Sequence, residues 1–209
     1  GTLLGTTGLA LVTASLFFKL SIFPFHLWVP DVYQGSPTPV TALMATGTKA
    51  AAFGFLLQLL PLLPRQAAWS VSVVALLTMA LGNLGALVQR DLKRMLAYSA
   101  IAHAGTVLLV VAGGLAGGDL PGATRAALYY MGAYLFTATG AFGIVAHLEA
   151  RSDGSLAIAS LGGLARTRPG IAASLALFML SLGGIPLTGG FLGKWFVFAV
   201  LVREHMILV

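Results

Sequence analysis

The lysines are the residues of this sequence whose positions point most directly to chemistry. Three of the four, Lys19, Lys49 and Lys194, stand inside long apolar runs. A lysine placed in the hydrocarbon layer of a membrane costs roughly 2.5–3.5 kcal/mol. A sequence that keeps three such residues in separate runs is expected to use them, and a buried amine fits the transfer of protons or other small cations.

Arginines are distributed differently from these lysines. All eight arginines fall at the ends of apolar runs or in the connections between them. An arginine side chain stays protonated, whereas a lysine can lose its proton when its surroundings disfavour charge. The deep position of the lysines therefore fits proton exchange better than fixed-charge anchoring.

Lys49 is the strongest candidate, because it lies roughly 15 Å from either end of its run at about 1.5 Å per residue. A structural ion pair is the alternative, but no acidic residue is well placed inside the apolar runs. Lys19 and Lys194 lie nearer the ends of their runs, where the amine could instead extend to the membrane surface. His103 could bridge a chain of waters or simply hydrogen-bond to a neighbouring helix, and both interpretations stay open.

Four other polar or aromatic residues have simpler interpretations. Lys93 lies in a short basic connection, where it is expected to help orient the chain across the membrane. His26, Trp28 and Tyr33 are expected to anchor the chain at the membrane surface.

The sequence contains no phosphate loop, metal-ligand spacing or nucleophile elbow.

The composition indicates a membrane protein. Of the 209 residues, 58% are hydrophobic and 9% are charged, whereas soluble domains carry about 25% charged residues. The net charge of +6 is not arranged as the basic stripe of a nucleic-acid-binding fold. Cysteine is absent, which excludes disulfides and cysteine-ligated clusters from this sequence. We therefore expect an all-α, polytopic transmembrane helix bundle in a lipid bilayer, with no nucleic-acid partner.

Six apolar runs are long enough to cross a membrane, which takes about 20 residues. Their approximate bounds are 2–23, 38–63, 70–89, 95–117, 123–147 and 171–202. The first and last are predicted to be interrupted, near Pro24 and near Pro186, where proline and glycine disfavour helix. Each interruption lies within about eight residues of a lysine, as is typical of ion sites in transporters, although kinks also serve packing.

The charges of the connections predict an orientation. Basic residues concentrate in loops 89–94 and 148–169, the second of which contains Arg151, Arg166 and Arg168. Two predicted helices separate these loops, so both face one side, and their positive charge assigns that side to the cytoplasm. The sequence begins without Met inside an apolar run, so we expect an internal piece of a longer protein.

Three long stretches carry a family resemblance. They read FKLSIFPFHLWVPDVYQGSPTPVTALMATGTKAA, GNLGALVQRDLKRMLAYSAIAHAG and LSLGGIPLTGGFLGKW. Together they resemble the antiporter-like membrane subunits of bacterial NADH:quinone oxidoreductase (respiratory complex I), most closely the N branch of that family. Related subunits occur in multisubunit cation/proton antiporters and in membrane-bound hydrogenases.

The resemblance implies that the chain corresponds to helices seven to twelve of a fourteen-helix protein with two inverted repeats. Residues 1–63 would be the end of the first repeat, with two helices, the first interrupted near Pro24. Residues 64–209 would be most of the second repeat, with four helices, the last interrupted near Pro186.

Roles for the lysines follow from the same resemblance. Lys19 matches a lysine that pairs with a glutamate on an upstream helix, which has no counterpart here. Lys49 matches the connecting lysine, and Lys194 the lysine at the end of the second half-channel. The resemblance implies that quinone, NADH, FMN and iron–sulfur clusters bind to partner subunits and that this chain holds no cofactor. The chain is expected to lie in the bacterial inner membrane and to act only together with the other membrane subunits.

The mechanism implied is proton translocation driven by quinone chemistry elsewhere in the complex. A subunit of a cation/proton antiporter or a membrane-bound hydrogenase is one alternative. A membrane scaffold with inert lysines is another. A quinone-binding chain is supported least, because the sequence shows no convergence of polar residues in a pocket open to lipid.

Overall fold

The computed structural model describes residues 3–150 and 156–203. Residue 2 of the first predicted run and Arg151 of the second basic loop lie outside the described residues. The described parts fold into α-helices with short 3₁₀ turns and one isolated bridge between Asp91 and Ala157. The α-helices are α1 Leu3–Leu20, α2 Val29–Gly35, α3 Thr38–Ala45, α4 Gly47–Leu59, α5 Ala67–Leu87, α6 Leu92–Gly117, α7 Leu120–Glu149, α8 Leu164–Thr167, α9 Pro169–Gly183 and α10 Gly189–Arg203.

These helices confirm the predicted all-α, polytopic bundle. Within residues 3–150 and 156–203, five stretches are long and apolar enough to cross a membrane: Leu3–Leu20, Thr38–Leu62, Ala67–Leu87, Leu92–Gly117 and Leu120–Glu149. The sixth predicted run is divided into two helices of 15 residues each, α9 and α10. The interruption between them falls at the predicted glycine- and proline-containing sequence.

Helix α6 is the central element of the bundle. It packs against α5, α7, α2 and α10, and most of its residues are buried. Its approach to α5 depends on a small residue, because a Cβ atom added at Gly82 would lie 2.5 Å from the backbone nitrogen of Ala102. Side chains on α6 are thus held by neighbours on several sides, which makes this helix a rigid support for polar groups.

The first interruption follows Lys19. Helix α1 ends at Leu20, and the chain turns through 21–28 before α2 begins. The backbone N–H of Phe23 donates to the hydroxyl of Thr78 on α5, at 3.0 Å. This turn contains Pro24, as predicted.

A further break, between α3 and α4, was not predicted. Thr46 stands between these helices with φ −115° and ψ −74°, and its hydroxyl donates to the carbonyl oxygen of Ala42 at 2.6 Å. The hydroxyl of Tyr134 on α7 donates to the carbonyl oxygen of Ala45 at 3.2 Å. The second span is therefore bent at the turn that carries Lys49.

The expectation of surface anchoring is wrong for Tyr33 and His26. Tyr33 is 1% exposed, and its ring packs edge-on against Phe142 of α7, with ring centroids 6.3 Å apart. His26 is also buried. Tyr33 stands on α2, which packs against α6 within the bundle, and this packing covers a ring that the sequence alone places at a membrane surface.

Candidate functional site

Lys49 is a buried amine with few partners. It lies in the first turn of α4 and is 1% exposed. Its Nζ atom donates to the carbonyl oxygen of Ala100 on α6, at 2.9 Å. An ammonium group carries three donors, and this is the one acceptor found for it among the described residues. The positive charge of Lys49 is therefore poorly compensated within this part of the chain.

His103 lies one helical turn beyond Ala100 on α6. Its Nδ1 atom is 2.5 Å from the hydroxyl oxygen of Tyr130 on α7, and its ring centroid lies 5.0 Å from that of Tyr134. Tyr134 in turn holds the end of α3 through Ala45. The two tyrosines thus join His103 to the bend beside Lys49.

Lys194 occupies the second interruption. Its Nζ atom donates to the carbonyl oxygens of Gly183, at 2.8 Å, and Leu182, at 3.2 Å. Carbonyl groups in the last turn of a helix lack partners within the helix and form its negative end. The end of α9 therefore stabilises the protonated amine of Lys194.

Gly184 makes this arrangement possible. Its φ of +81° is a left-handed conformation that favours glycine. A Cβ atom at this position would also lie 2.8 Å from Cδ of Lys194. The glycine-rich sequence that predicted a helix break thus provides both the turn and the space for the lysine.

A cavity of about 390 Å³ connects the surroundings of His103 and Lys194. A water molecule fills about 30 Å³ in the liquid, so the cavity has room for several. Its polar lining consists of Asn83, Ser99, His103, Thr106, Tyr130 and Lys194. His103 and Lys194 therefore border one space that is large enough for water.

Two hydroxyl groups fix the wall of this region. The side-chain oxygens of Thr137 on α7 and Ser181 on α9 are 3.2 Å apart. The Ser181 hydroxyl also accepts from the backbone N–H of Gly190, at 3.3 Å. These bonds join α7, α9 and the start of α10, so the interruption beside Lys194 is held in a defined position.

Lys19 stands at the end of α1, the helix that packs against α4. It is in the last turn of α1, on an exposed face. No hydrogen bond or ion pair joins it to another residue of the described ranges. The structure thus joins Lys49 to α6 and places His103 and Lys194 beside one cavity, whereas no described bond links Lys19 to any of them.

Lys93 differs from its sequence interpretation. Its Nζ atom is 3.3 Å from Oε1 of Glu149 at the end of α7 and donates to the carbonyl oxygen of Ser36 at 2.8 Å. The lysine is buried, so its description as a simple orienting residue of a basic loop was incomplete. The acidic partner lies far away in the sequence, and only the packing of α6 against α7 reveals the pair.

The described ranges contain no group of three or more His, Cys, Asp or Glu side chains that could hold a metal ion. What the site offers is amines, an imidazole and hydroxyl groups around an interrupted helix. Together with the polytopic bundle, these features define a class, the antiporter-like membrane proteins.

The family follows from sequence comparison. The family model described as NADH:quinone oxidoreductase/Mrp antiporter, TM, matches residues 2–209. The chain belongs to this family, which confirms the predicted resemblance.

Relatives within the family carry one recurring name. The chain is 46% identical to NADH-quinone oxidoreductase subunit N 2 of Roseiflexus castenholzii over 197 residues, which cover 91% of the chain and 40% of the relative. It is 44% identical to NADH-quinone oxidoreductase subunit N of Myxococcus xanthus, covering 96% of the chain and 44% of the relative. The chain thus spans about two fifths of the length of these relatives.

Solved structures give the same fold. A chain of respiratory complex I from Thermus thermophilus with bound aureothin matches with a TM-score of 0.76 and 40% identity, over 90% of this chain and 40% of that one. A chain of the Mrp complex from Dietzia sp. matches with a TM-score of 0.85 and 25% identity, over 95% of this chain and 36% of that one. Both belong to multisubunit membrane assemblies.

Proposed function

We propose that this chain is part of a proton-translocating membrane subunit of NADH:quinone oxidoreductase. Protons are relayed through Lys49 and Lys194, with His103 between them, in response to quinone reduction in other subunits. The observation that carries this proposal is the buried amine of Lys49, held by one carbonyl group of the helix that also bears His103. The names of the relatives support the redox assignment.

The different environments of the two lysines support a direction of transfer. Lys49 has one carbonyl acceptor and lies in the first turn of α4, whereas Lys194 has two at the end of α9. Charge–dipole interactions at helix ends amount to about 0.3–1 kcal/mol, and about 2 kcal/mol in partly buried geometries. A proton is therefore held more favourably at Lys194 than at Lys49.

His103 can connect the two amines. A neutral imidazole accepts a proton at one nitrogen and releases one from the other. One ring nitrogen already contacts the Tyr130 hydroxyl, and the ring borders the cavity that reaches Lys194. Water in that cavity provides the proposed link between His103 and Lys194, since it can hydrogen-bond to the imidazole, the tyrosine and the lysine.

Lys19 is proposed to receive the signal from outside this chain. Its exposed position on α1 leaves room for an acidic partner on a segment beyond the described residues. At an effective dielectric constant of about 20, a charge roughly 8 Å away contributes about 2 kcal/mol. Because α1 packs against α4, separation of Lys19 from its acid is proposed to alter the protonation of Lys49 through an interaction of this kind.

The rest of the assignment concerns the assembled complex. NADH, FMN, iron–sulfur clusters and quinone are proposed to bind to partner subunits and not to this chain, which would not function alone. Loops 89–94 and 148–169 are proposed to face the cytoplasm of a bacterium. The division into repeats at residues 1–63 and 64–209 remains a prediction.

The test is redox-driven proton uptake in proteoliposomes that contain the complete complex. Lys49→Met is compared with Gln58→Met, a control that replaces an exposed polar residue of the same helix. We expect Lys49→Met to lower the number of protons pumped per electron and the control to leave it unchanged. Electron transfer to an artificial acceptor confirms that the redox site is intact. An unchanged ratio for Lys49→Met would refute the proposal and favour an inert scaffold.

A cation/proton antiporter subunit is the second candidate, favoured by the similarity to the Mrp complex. In that case an ion gradient replaces quinone chemistry as the energy source. The two are separated by varying sodium at constant pH. Transport that depends on sodium and continues without NADH would assign the chain to an antiporter.

A further inference from the structure

The Lys93–Glu149 pair closes the bundle at the end where the basic loops lie. Besides its contact with Lys93, Glu149 accepts a hydrogen bond from the hydroxyl of Thr38, the first residue of α3. Lys93 holds the carbonyl group of Ser36 in the turn before α3. The pair thus joins the beginning of α6 and the end of α7 to the beginning of the helix that leads to Lys49.

Buried hydroxyl groups continue from this pair along α3. Thr38, Thr41 and Thr46 are all buried, and they recur at roughly one-turn to one-and-a-half-turn spacing. Thr41 donates to the carbonyl oxygen of Tyr33 at 3.1 Å and lies 3.5 Å from that of Ser36, which Lys93 also holds. Thr46 is at the bend immediately before the turn of Lys49.

The hydroxyl groups of Thr38, Thr41 and Thr46 lie along the segment that leads from Glu149 to Lys49. Eight residues separate Thr38 from Thr46, or about 12 Å at 1.5 Å per residue. Each hydroxyl group keeps lone pairs that accept hydrogen bonds from water while its own hydrogen is donated to protein. Thr38 and Thr41 therefore place polar groups on buried positions of α3, and Thr46 adds one at the bend that follows.

Glu149 is the member of the pair nearer to solvent. Its side chain is 19% exposed, against 7% for Lys93. A neighbouring ion pair, Arg94 with Asp31, is much more open, at 31% and 71%. The aqueous phase can therefore reach Glu149 while it contacts groups that face inward.

We propose that Glu149 accepts protons from the side of the basic loops and passes them along the hydroxyl groups of α3 to Lys49. This inference rests on the proposed function and adds the entry route. The carboxylate of Glu149 takes up a proton from bulk water, and its ion pair with Lys93 is lost. The carboxyl group then releases that proton through water molecules held by Thr38, Thr41 and Thr46, and a neutral Lys49 amine binds it.

The experiment measures protons pumped per electron by the complete complex in proteoliposomes. Glu149→Gln keeps the shape of the side chain but cannot carry the proton, so we expect the same loss as in Lys49→Met. Glu149→Asp retains the carboxyl group and should pump nearly as many protons per electron as the unchanged complex. Asp31→Asn, which breaks the neighbouring exposed ion pair, is the matched control and should pump normally.

A double variant separates proton transfer from simple positioning. Lys93→Gln combined with Glu149→Gln replaces the ion pair by two neutral amides that can still bond to each other. If Glu149 only positions α3, the double variant should recover pumping, which would overturn the inference. If it carries protons, the loss persists.

Thr41→Val provides an independent test that leaves the ion pair in place. We expect fewer protons pumped per electron, with normal electron transfer to an artificial acceptor, because one hydroxyl group of the series is removed. Should Glu149→Gln fail to assemble, an unchanged ratio in Thr41→Val would overturn the inference. A loss in Lys49→Met together with normal pumping in Glu149→Gln would reject the entry route and leave the proposed function standing. No loss in Lys49→Met would reject both.

Discussion

Tyr134→Phe tests whether one hydroxyl group holds the bend beside Lys49. The Tyr134 hydroxyl donates to the carbonyl oxygen of Ala45 at 3.2 Å, and both residues are buried. A typical hydrogen bond contributes about 0.5–1.5 kcal/mol, and a buried group left without a partner costs about 1–3 kcal/mol. Since phenylalanine fills the same space without the hydroxyl, we expect the free energy of unfolding to fall by about 1–3 kcal/mol.

The assay is denaturant unfolding of the full-length subunit in detergent micelles. Tyr129→Phe is the matched control on the same helix. The Tyr129 ring is half-exposed and packs against Phe196 with centroids 4.8 Å apart, a contact that phenylalanine preserves. This control should change the free energy of unfolding by less than about 0.5 kcal/mol. Equal effects of the two substitutions would show that the hydroxyl of Tyr134 does not hold the bend.

Three further outcomes follow. Gly184→Ala should lower the free energy of unfolding by about 1–2 kcal/mol, because a left-handed residue gains a Cβ atom. Gly183→Ala is the control and should cost less, since its Cβ atom would meet nothing within 4 Å. Equal losses of the two variants in denaturant unfolding would contradict this prediction. Lys93→Met removes the amine that contacts the partly buried carboxylate of Glu149 and should destabilise more than Lys93→Met combined with Glu149→Leu, as unfolding of the single and double variants will show. Lys49→Arg keeps a fixed charge that cannot be released, so proton-uptake measurements should show the same loss as Lys49→Met, and normal pumping would exclude deprotonation of residue 49.

Local sequence signals were sufficient for the helices and for two of the interruptions. Apolar runs of about 20 residues predict membrane-spanning helices. Pro24 and the sequence around Pro186 predict breaks because proline and glycine disfavour helix. The burial of Lys49 also follows from its position, since it is too far from either end of its run for the amine to reach the surface.

The remaining features depend on partners that are distant in the sequence. The bend at Thr46 involves no proline, and it is held in part by Tyr134, which lies 89 residues after Ala45. Glu149 meets Thr38 across 111 residues. Neither contact leaves a periodic or compositional mark near the residues concerned. Only the packing of α3, α6 and α7 brings these groups together.

Lys93 illustrates the limit of charge patterns. A basic loop at the end of a helix predicts orientation across the membrane, and that prediction treats each lysine as solvated. The structure instead places Lys93 inside the bundle, where Ser36 and Glu149 satisfy its amine. A buried cation needs such partners, so a lysine next to an apolar run warrants a search for an acid on neighbouring helices.

The central claim is that Lys49 and Lys194 act in series on one path. Its most direct test is the number of protons pumped per electron by the complete complex carrying Lys49→Met, Lys194→Met or both. Groups in series predict that the double variant loses no more than either single variant, because one broken step already stops the path. Losses that add in the double variant would contradict a shared path and assign the two lysines to separate routes.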